Sequence, residues 1–164
     1  MQQILSVTPN NGVNNEMKTF RNYGFIYALG SVGYGLVEIL WRGYTHWTMA
    51  LTGGTCFVLL YRTNIRMAGK KLWQKCLAGS SLITVTEFIV GCVVNLKLKW
   101  NVWDYSNLPF NVKGQICLLY SVLWFFLCIP VLMASGKLQK YLSALPRMQK
   151  RKAKMPAGAL AGAK

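Results

Sequence analysis

Acidic residues are nearly missing from this chain. Of 164 residues, 4 are Asp or Glu, against 19 Lys or Arg. Charged residues total 14%, where soluble domains carry about 25%. The single histidine, His46, and the scattered cysteines lack zinc-site spacing, so neither a metal centre nor a cofactor is expected. No G-x-x-x-x-G-K-[ST] run occurs, which argues against a P-loop ATPase within the chain. His46, Asp104 and Ser106 have the residue types of a catalytic triad, but no nucleophile elbow or oxyanion motif accompanies them. The balance leans away from an enzyme. Residues 1–17 hold no Lys or Arg and no apolar run of signal-peptide type, and read as a flexible, Asn-rich tail. The cysteines, Cys56, Cys76, Cys92, Cys117 and Cys128, are odd in number and form no external pair. They read as small apolar fillers, not as a disulfide framework.

What is abundant is apolar surface. Hydrophobic residues make up 53% of the chain, which excludes disorder. They gather in four segments, about 23–41, 47–61, 76–96 and 116–134. About 20 helical residues cross a 30 Å hydrocarbon core. The first, third and fourth segments meet that length. The second is shorter and carries Gly53-Gly54. It can cross by recruiting Thr45 and Thr63 while Arg62 snorkels, or it can form a re-entrant hairpin. The expected fold is all-α: an integral membrane bundle of four transmembrane helices over 18–136, followed by a basic tail over 137–164.

The basic residues orient this bundle. With the N-terminus inside, fifteen Lys and Arg fall on inner segments and four on outer loops, Arg42, Lys97, Lys99 and Lys113. Such a bias is the positive-inside pattern, and four spans put both termini in the cytoplasm. The inner clusters Arg62, Arg66, Lys70, Lys71 and Lys150, Arg151, Lys152 are candidates for anionic lipid headgroups or a partner protein. Nucleic acid is the weaker reading of the tail.

Two acids lie inside apolar segments. A carboxylate there costs about 2.5–3.5 kcal/mol on insertion scales, so it must face protein or water. Glu38 lies on a stripe Gly24, Ala28, Ser31, Gly35, Glu38, Arg42. Glu87 lies on a stripe Ser80, Thr84, Glu87, Gly91, Asn95. Both spacings follow one helix face. The aligned sets 31, 35, 38, 42 and 80, 84, 87, 91 suggest a parallel two-plus-two repeat. Small and polar faces of this kind pack helices, so the first and third spans are expected to meet and bring Glu38 and Glu87 together. Arg42, four residues after Glu38, is placed for an ion pair. The stretch 100–111 interleaves Trp100, Trp103 and Tyr105 with Asn101, Asp104, Ser106, Asn107 and Asn111. It is expected to cap a polar cavity containing Glu38 and Glu87, with Arg42 bridging Glu38 and Asp104. The alternative is a turn whose Asp104 only caps the local backbone. The candidate polar site is therefore Glu38, Arg42, His46, Glu87, Asn95, Trp103, Asp104, Tyr105 and Asn111. For His46 alone, a helix-end position is the stronger expectation.

Several blocks resemble a known family. They are Ile39-Leu-Trp-Arg-Gly-Tyr-Thr-His-Trp-Thr-Met49, Thr86-Glu-Phe-Ile-Val-Gly-Cys-Val-Val-Asn95, Trp100-Asn-Val-Trp-Asp-Tyr-Ser106, Pro109-Phe-Asn111 and Gly114-Gln-Ile-Cys-Leu118. Over about residues 23–135 they resemble the bacterial permease family called putative ABC-transporter type IV. The resemblance implies a multi-pass cell-membrane protein, a permease-like transport subunit that would work as a homo-oligomer or in a membrane complex with a separate cytoplasmic ATPase. It carries no catalytic residues onto this chain. The basic second loop and the basic, Ala/Gly-ended tail depart from the family's usual form. Two other readings fit the residues: a membrane enzyme acting on a lipid-linked or headgroup substrate through Glu38, Arg42, His46, Asp104 and Asn111, and a small holin-like or assembly protein.

Overall fold

The computed structural model describes the backbone of residues 10–154 and the side chains of residues 19–144. Four helices follow in order. α1 is Asn10–Arg42, α2 is Trp47–Arg66, α3 is Leu72–Gly91 and α4 is Leu118–Lys154. α3 runs on into a π-helical turn, Cys92–Lys97. A two-residue ladder, β1 (Asn111–Val112) and β2 (Ile116–Cys117), pairs antiparallel in the loop before α4. α1 takes in residues 10–17 of the segment read as a tail. α4 continues past Gly136 to Lys154. Residues 1–9 and 155–164 lie outside the described residues, as do the side chains of Lys150, Arg151 and Lys152.

Among the described residues, three stretches are long and apolar enough to cross a membrane: Thr19–Arg42, Leu72–Lys97 and Leu118–Ala144. α2 falls below that hydropathy, yet it is one continuous 20-residue helix through Gly53-Gly54, not a hairpin. Its place in the bundle explains its composition. α2 packs along α1 and also touches α3 and α4, while α3 packs along α4. A helix flanked by protein needs small, close-packing residues more than lipophilic ones. Accordingly Thr48, Thr52, Gly53, Gly54 and Cys56 are buried.

The α1–α2 contact is made by glycine. A Cβ on Gly53 would overlap that of Tyr34 and sit 2.6 Å from its Cγ. One on Gly54 would meet Ser31 Oγ at 2.5 Å, and one on Gly30 would meet the Gly53 carbonyl at 2.9 Å. The stripe expected to pack α1 against α3 does not do so: among the described residues α1 packs along α2. Gly24 and Gly35 have open space where a Cβ would go. Half-buried Ser31 is turned instead toward Gly54 on α2, and half-buried Arg42 toward the loop.

One core cluster joins α2, α3 and α4 through Cys56, Leu60, Cys76, Ile83, Cys128 and Leu132. A second, Met49, Val94, Val102 and Trp103, ties the long loop to the ends of α2 and α3. The cysteines are free thiols, and all but Cys92 are fully buried. Outside, the bundle is apolar: Val32, Leu36 and Leu40 on α1, Val85 and Ile89 on α3, and Phe126 and Met133 on α4 are exposed. This surface calls for hydrocarbon.

Candidate functional site

The site begins at the end of α1. Gly43, at φ 80°, ends the helix in the left-handed conformation, and its N–H bonds to the Ile39 carbonyl. That turn holds Arg42 and Thr45 over Glu38. Arg42 donates from Nη2 to Glu38 Oε1, and Thr45 Oγ1 donates to Oε2. The ion pair expected from the spacing is present. The second Arg42 arm, Nη1, donates to the Val102 carbonyl at 3.1 Å. The loop is thus tied to α1 through its backbone, not through Asp104.

One helical turn before Glu38 stands Tyr34. Its hydroxyl donates to Glu87 Oε1 on α3 at 3.0 Å, and Trp124 on α4 donates from Nε1 to Oε2 at 2.7 Å. The Tyr34 and Trp124 rings stack, with centroids 5.8 Å apart. Glu87 is 3% exposed. A buried carboxylate in the bundle interior therefore joins three helices, and both its donors are neutral. The first and third spans, expected to pack directly, communicate through this side-chain bridge.

Asn95 sits on the π turn. It donates from Nδ2 to the Trp103 carbonyl (2.9 Å) and to Gln115 Oε1 (2.8 Å), and its Oδ1 accepts from Val102 N (2.7 Å). Trp103 is buried over Gly91, with its Nε1 donating to the Gln115 carbonyl at 2.9 Å. π turns shift side-chain register, and here the shift coincides with an inward-facing amide. Asn95 and Trp103 thus hold the loop. Asn111 holds its far turn, donating to the Ser106 and Leu108 carbonyls and accepting from Gly114 N.

Asp104 departs from the expected bridge. It is exposed, and its Oδ1 accepts from Ser106 N (2.8 Å) and Ser106 Oγ. Those bonds hold its carboxyl below its ordinary range. The carboxylate stays on the loop because Ser106, two residues on, satisfies it at lower entropic cost than a partner on α1. His46 accepts from Thr48 N at 3.4 Å as the N-cap of α2, and its ring packs beside Trp47 and Trp100. Glu38, Arg42, His46, Asp104 and Asn111 therefore do not assemble into one catalytic constellation. Tyr105 stacks on Tyr120 at 4.5 Å, and burial raises its hydroxyl pKa well above the phenol range.

α1 and α4 leave a seam between them. Two adjoining cavities of about 430 and 410 Å³ run along it and share Tyr34, Val37, Trp124, Leu127 and Pro130. The first is apolar. The second reaches Glu38, Arg42, Tyr105 and Tyr120. At the opposite end of the bundle, Arg62, Arg66, Lys70 and Lys71 are exposed around the α2–α3 turn. There Lys75 Nζ donates to Asn64 Oδ1 at 2.9 Å, and Asn64 Nδ2 donates to Ser135 Oγ at 2.8 Å.

Sequence reasoning missed Tyr34, Trp124, Gln115 and Tyr120. A signal existed for three of them. Tyr34 precedes Glu38 by four residues, and Tyr120 and Trp124 are likewise four apart, each presenting polar-tipped rings along one face.

Long apolar helices around buried polar bridges, with lipophilic residues facing outward, define a polytopic helical membrane protein. The family described as putative ABC-transporter type IV matches residues 13–156, and the chain belongs to it. No curated protein and no solved structure matched the chain.

Proposed function

We propose that the chain is a permease-like subunit of an ABC-type transporter in the cell membrane. The observation that carries this reading is Glu87. Insertion of a carboxylate into a span is costly, and such residues mark polar pathways. Glu87 is held by neutral donors from two other helices, Tyr34 and Trp124. One turn along α1, the Glu38–Arg42 pair continues the polar line toward the loop. Trp103 and Tyr105 close that line as an aromatic cap. α2 serves as a fourth span, and the hairpins α1–α2 and α3–α4 act as a two-plus-two repeat. The charge bias puts both termini in the cytoplasm and the loop outside.

Four spans are few for a complete pathway, so the subunit works as an oligomer or within a larger membrane complex. A separate cytoplasmic ATPase supplies hydrolysis. Arg62, Arg66, Lys70 and Lys71 form the face for anionic headgroups and that partner. Purification of the full chain in mild detergent, with mass spectrometry of what accompanies it, tests the proposal. A co-purifying ATP-hydrolysing subunit is the expected result. A homogeneous, folded chain carrying no such protein would reject it.

A further inference from the structure

The seam between α1 and α4 has a length, a chemistry and an open donor that no part of the transport reading uses. It runs along α1 from Leu29 to Arg42. Thirteen helical steps at 1.5 Å make this about 20 Å. One leaflet of a 30 Å hydrocarbon core is about 15 Å deep. The seam therefore exceeds the depth of one leaflet. It starts at Arg42, the last residue of the first spanning stretch, and ends inside that stretch. Its walls are apolar, and the α1 and α4 residues beside it, Leu36, Leu40 and Phe126, are exposed.

The Arg42 end is different. Nη1 and Nη2 are engaged by Val102 and Glu38, but Nε is buried and has no hydrogen-bond partner. A buried guanidinium N–H left unmade is costly. Beside it, the Tyr120 hydroxyl accepts from Trp41 Nε1 at 3.3 Å, which leaves its own proton to donate. A ligand for this end must present oxygen acceptors, and a ligand for the remainder must present an alkyl chain.

We infer that the α1–α4 seam is a phospholipid site, with one acyl chain in the groove and an ester or phosphate oxygen at the end lined by Arg42 and Tyr120. The lipid enters sideways from the leaflet on the Arg42 side. Its binding needs the membrane and this groove, and does not depend on transport or on any ATPase.

Gly33 gives the test a clean handle. It lies on the groove wall, and a Cβ there would meet nothing within 4 Å. The full chain is reconstituted in phosphatidylcholine nanodiscs containing a phosphatidylcholine with a diazirine on its acyl chain. After illumination, adducts are mapped by mass spectrometry. The expected result is adducts concentrated on residues 29–37 and 124–134. Gly33→Phe should lower them at least fivefold. Gly24→Phe, at an equally open glycine outside the groove, should leave them unchanged. Val37→Trp, at an exposed position lining both cavities, should block the groove independently if Gly33→Phe does not fold. A diazirine-bearing long-chain alcohol, lacking the ester and phosphate oxygens, should label the groove at least fivefold less than the phospholipid. Adducts spread evenly over all apolar faces would overturn the proposal. So would equal labelling by the alcohol, or chain-to-chain cross-links that cover the groove and make it an interface between copies.

Discussion

One methyl group added at Gly53 should force α1 away from α2. In Gly53→Ala the new Cβ overlaps the Cβ of Tyr34 and lies 3.1 Å from the Gly30 carbonyl. Neither can rotate away, because one is the first side-chain atom and the other is backbone. Overpacking costs about 1–3 kcal/mol where neighbours can partly yield. With two unyielding neighbours the upper value, about 3 kcal/mol, applies. Gly35 is the control, since the same methyl there enters open space. Replacing a mid-helix glycine by alanine favours the helix by up to about 1 kcal/mol. That gain applies at both positions, so the net change is a loss of about 2 kcal/mol at Gly53 and a gain of up to about 1 kcal/mol at Gly35, a difference of about 3 kcal/mol with opposite signs. Thermal unfolding in mild detergent, followed by tryptophan fluorescence, reads this out. At about 2–4 °C per kcal/mol, Gly53→Ala should melt about 4–8 °C below the parent, and Gly35→Ala at or slightly above it. Equal shifts, or a larger loss at Gly35, would refute the packing described for α1 and α2.

Three further outcomes follow from the same contacts. Glu87→Gln keeps an acceptor for Trp124 and offers an amide to the Tyr34 hydroxyl, so it should fold within about 1 kcal/mol of the parent; under the proposed permease function it should abolish transport. Glu87→Leu strands both donors and should lose about 2–4 kcal/mol in the same melting assay. Asn95→Ala removes the three bonds by which the π turn holds the loop and leaves the Arg42–Val102 tie, so hydrogen exchange across residues 98–117 should rise at least tenfold while α1 and α4 keep their protection. Asp104 has its folded-state pKa lowered by Ser106, so its contribution is complete above the unfolded carboxylate pKa of about 3.9 and is lost as pH falls through the lowered folded value. Asp104→Ala should therefore erase the acid-dependent loosening of the 104–106 turn, seen as Ser106 amide exchange against pH.

The sequence was most readable where the chemistry is local. The three long apolar runs, the Glu38–Arg42 pair four residues apart, and the turn-forming potential of Asp104-Tyr-Ser106 all follow from neighbours along one chain. The bridge from Tyr34 through Glu87 to Trp124 does not. It depends on the rotation of three helices about their axes, which spacing within any one helix leaves free. The small residues of α1 show the same limit. They occupy two faces, and nothing in the pattern tells the packing glycine, Gly30, from the open ones, Gly24 and Gly35. The composition of α2 has a related cause. Hydropathy rewards contact with lipid, and the flanked helix of a bundle trades lipophilic residues for small ones. The loop, read as a cap held by its carboxylate, is tied to the bundle by Arg42 on a backbone carbonyl and by one buried amide on α3. Residue type alone cannot say which of several polar groups will find the nearer partner.

The most direct test of the four-span account is the sidedness of three positions. Single cysteines at Thr45, Gly69 and Asn107 are reacted with a membrane-impermeant maleimide on intact cells. Four of the native cysteines are buried and Cys92 is half-buried, so their background is low. The account predicts labelling of positions 45 and 107 from outside, and of position 69 only after permeabilisation. Labelling of 45 and 69 from the same side would mean that α2 does not cross, and would contradict it.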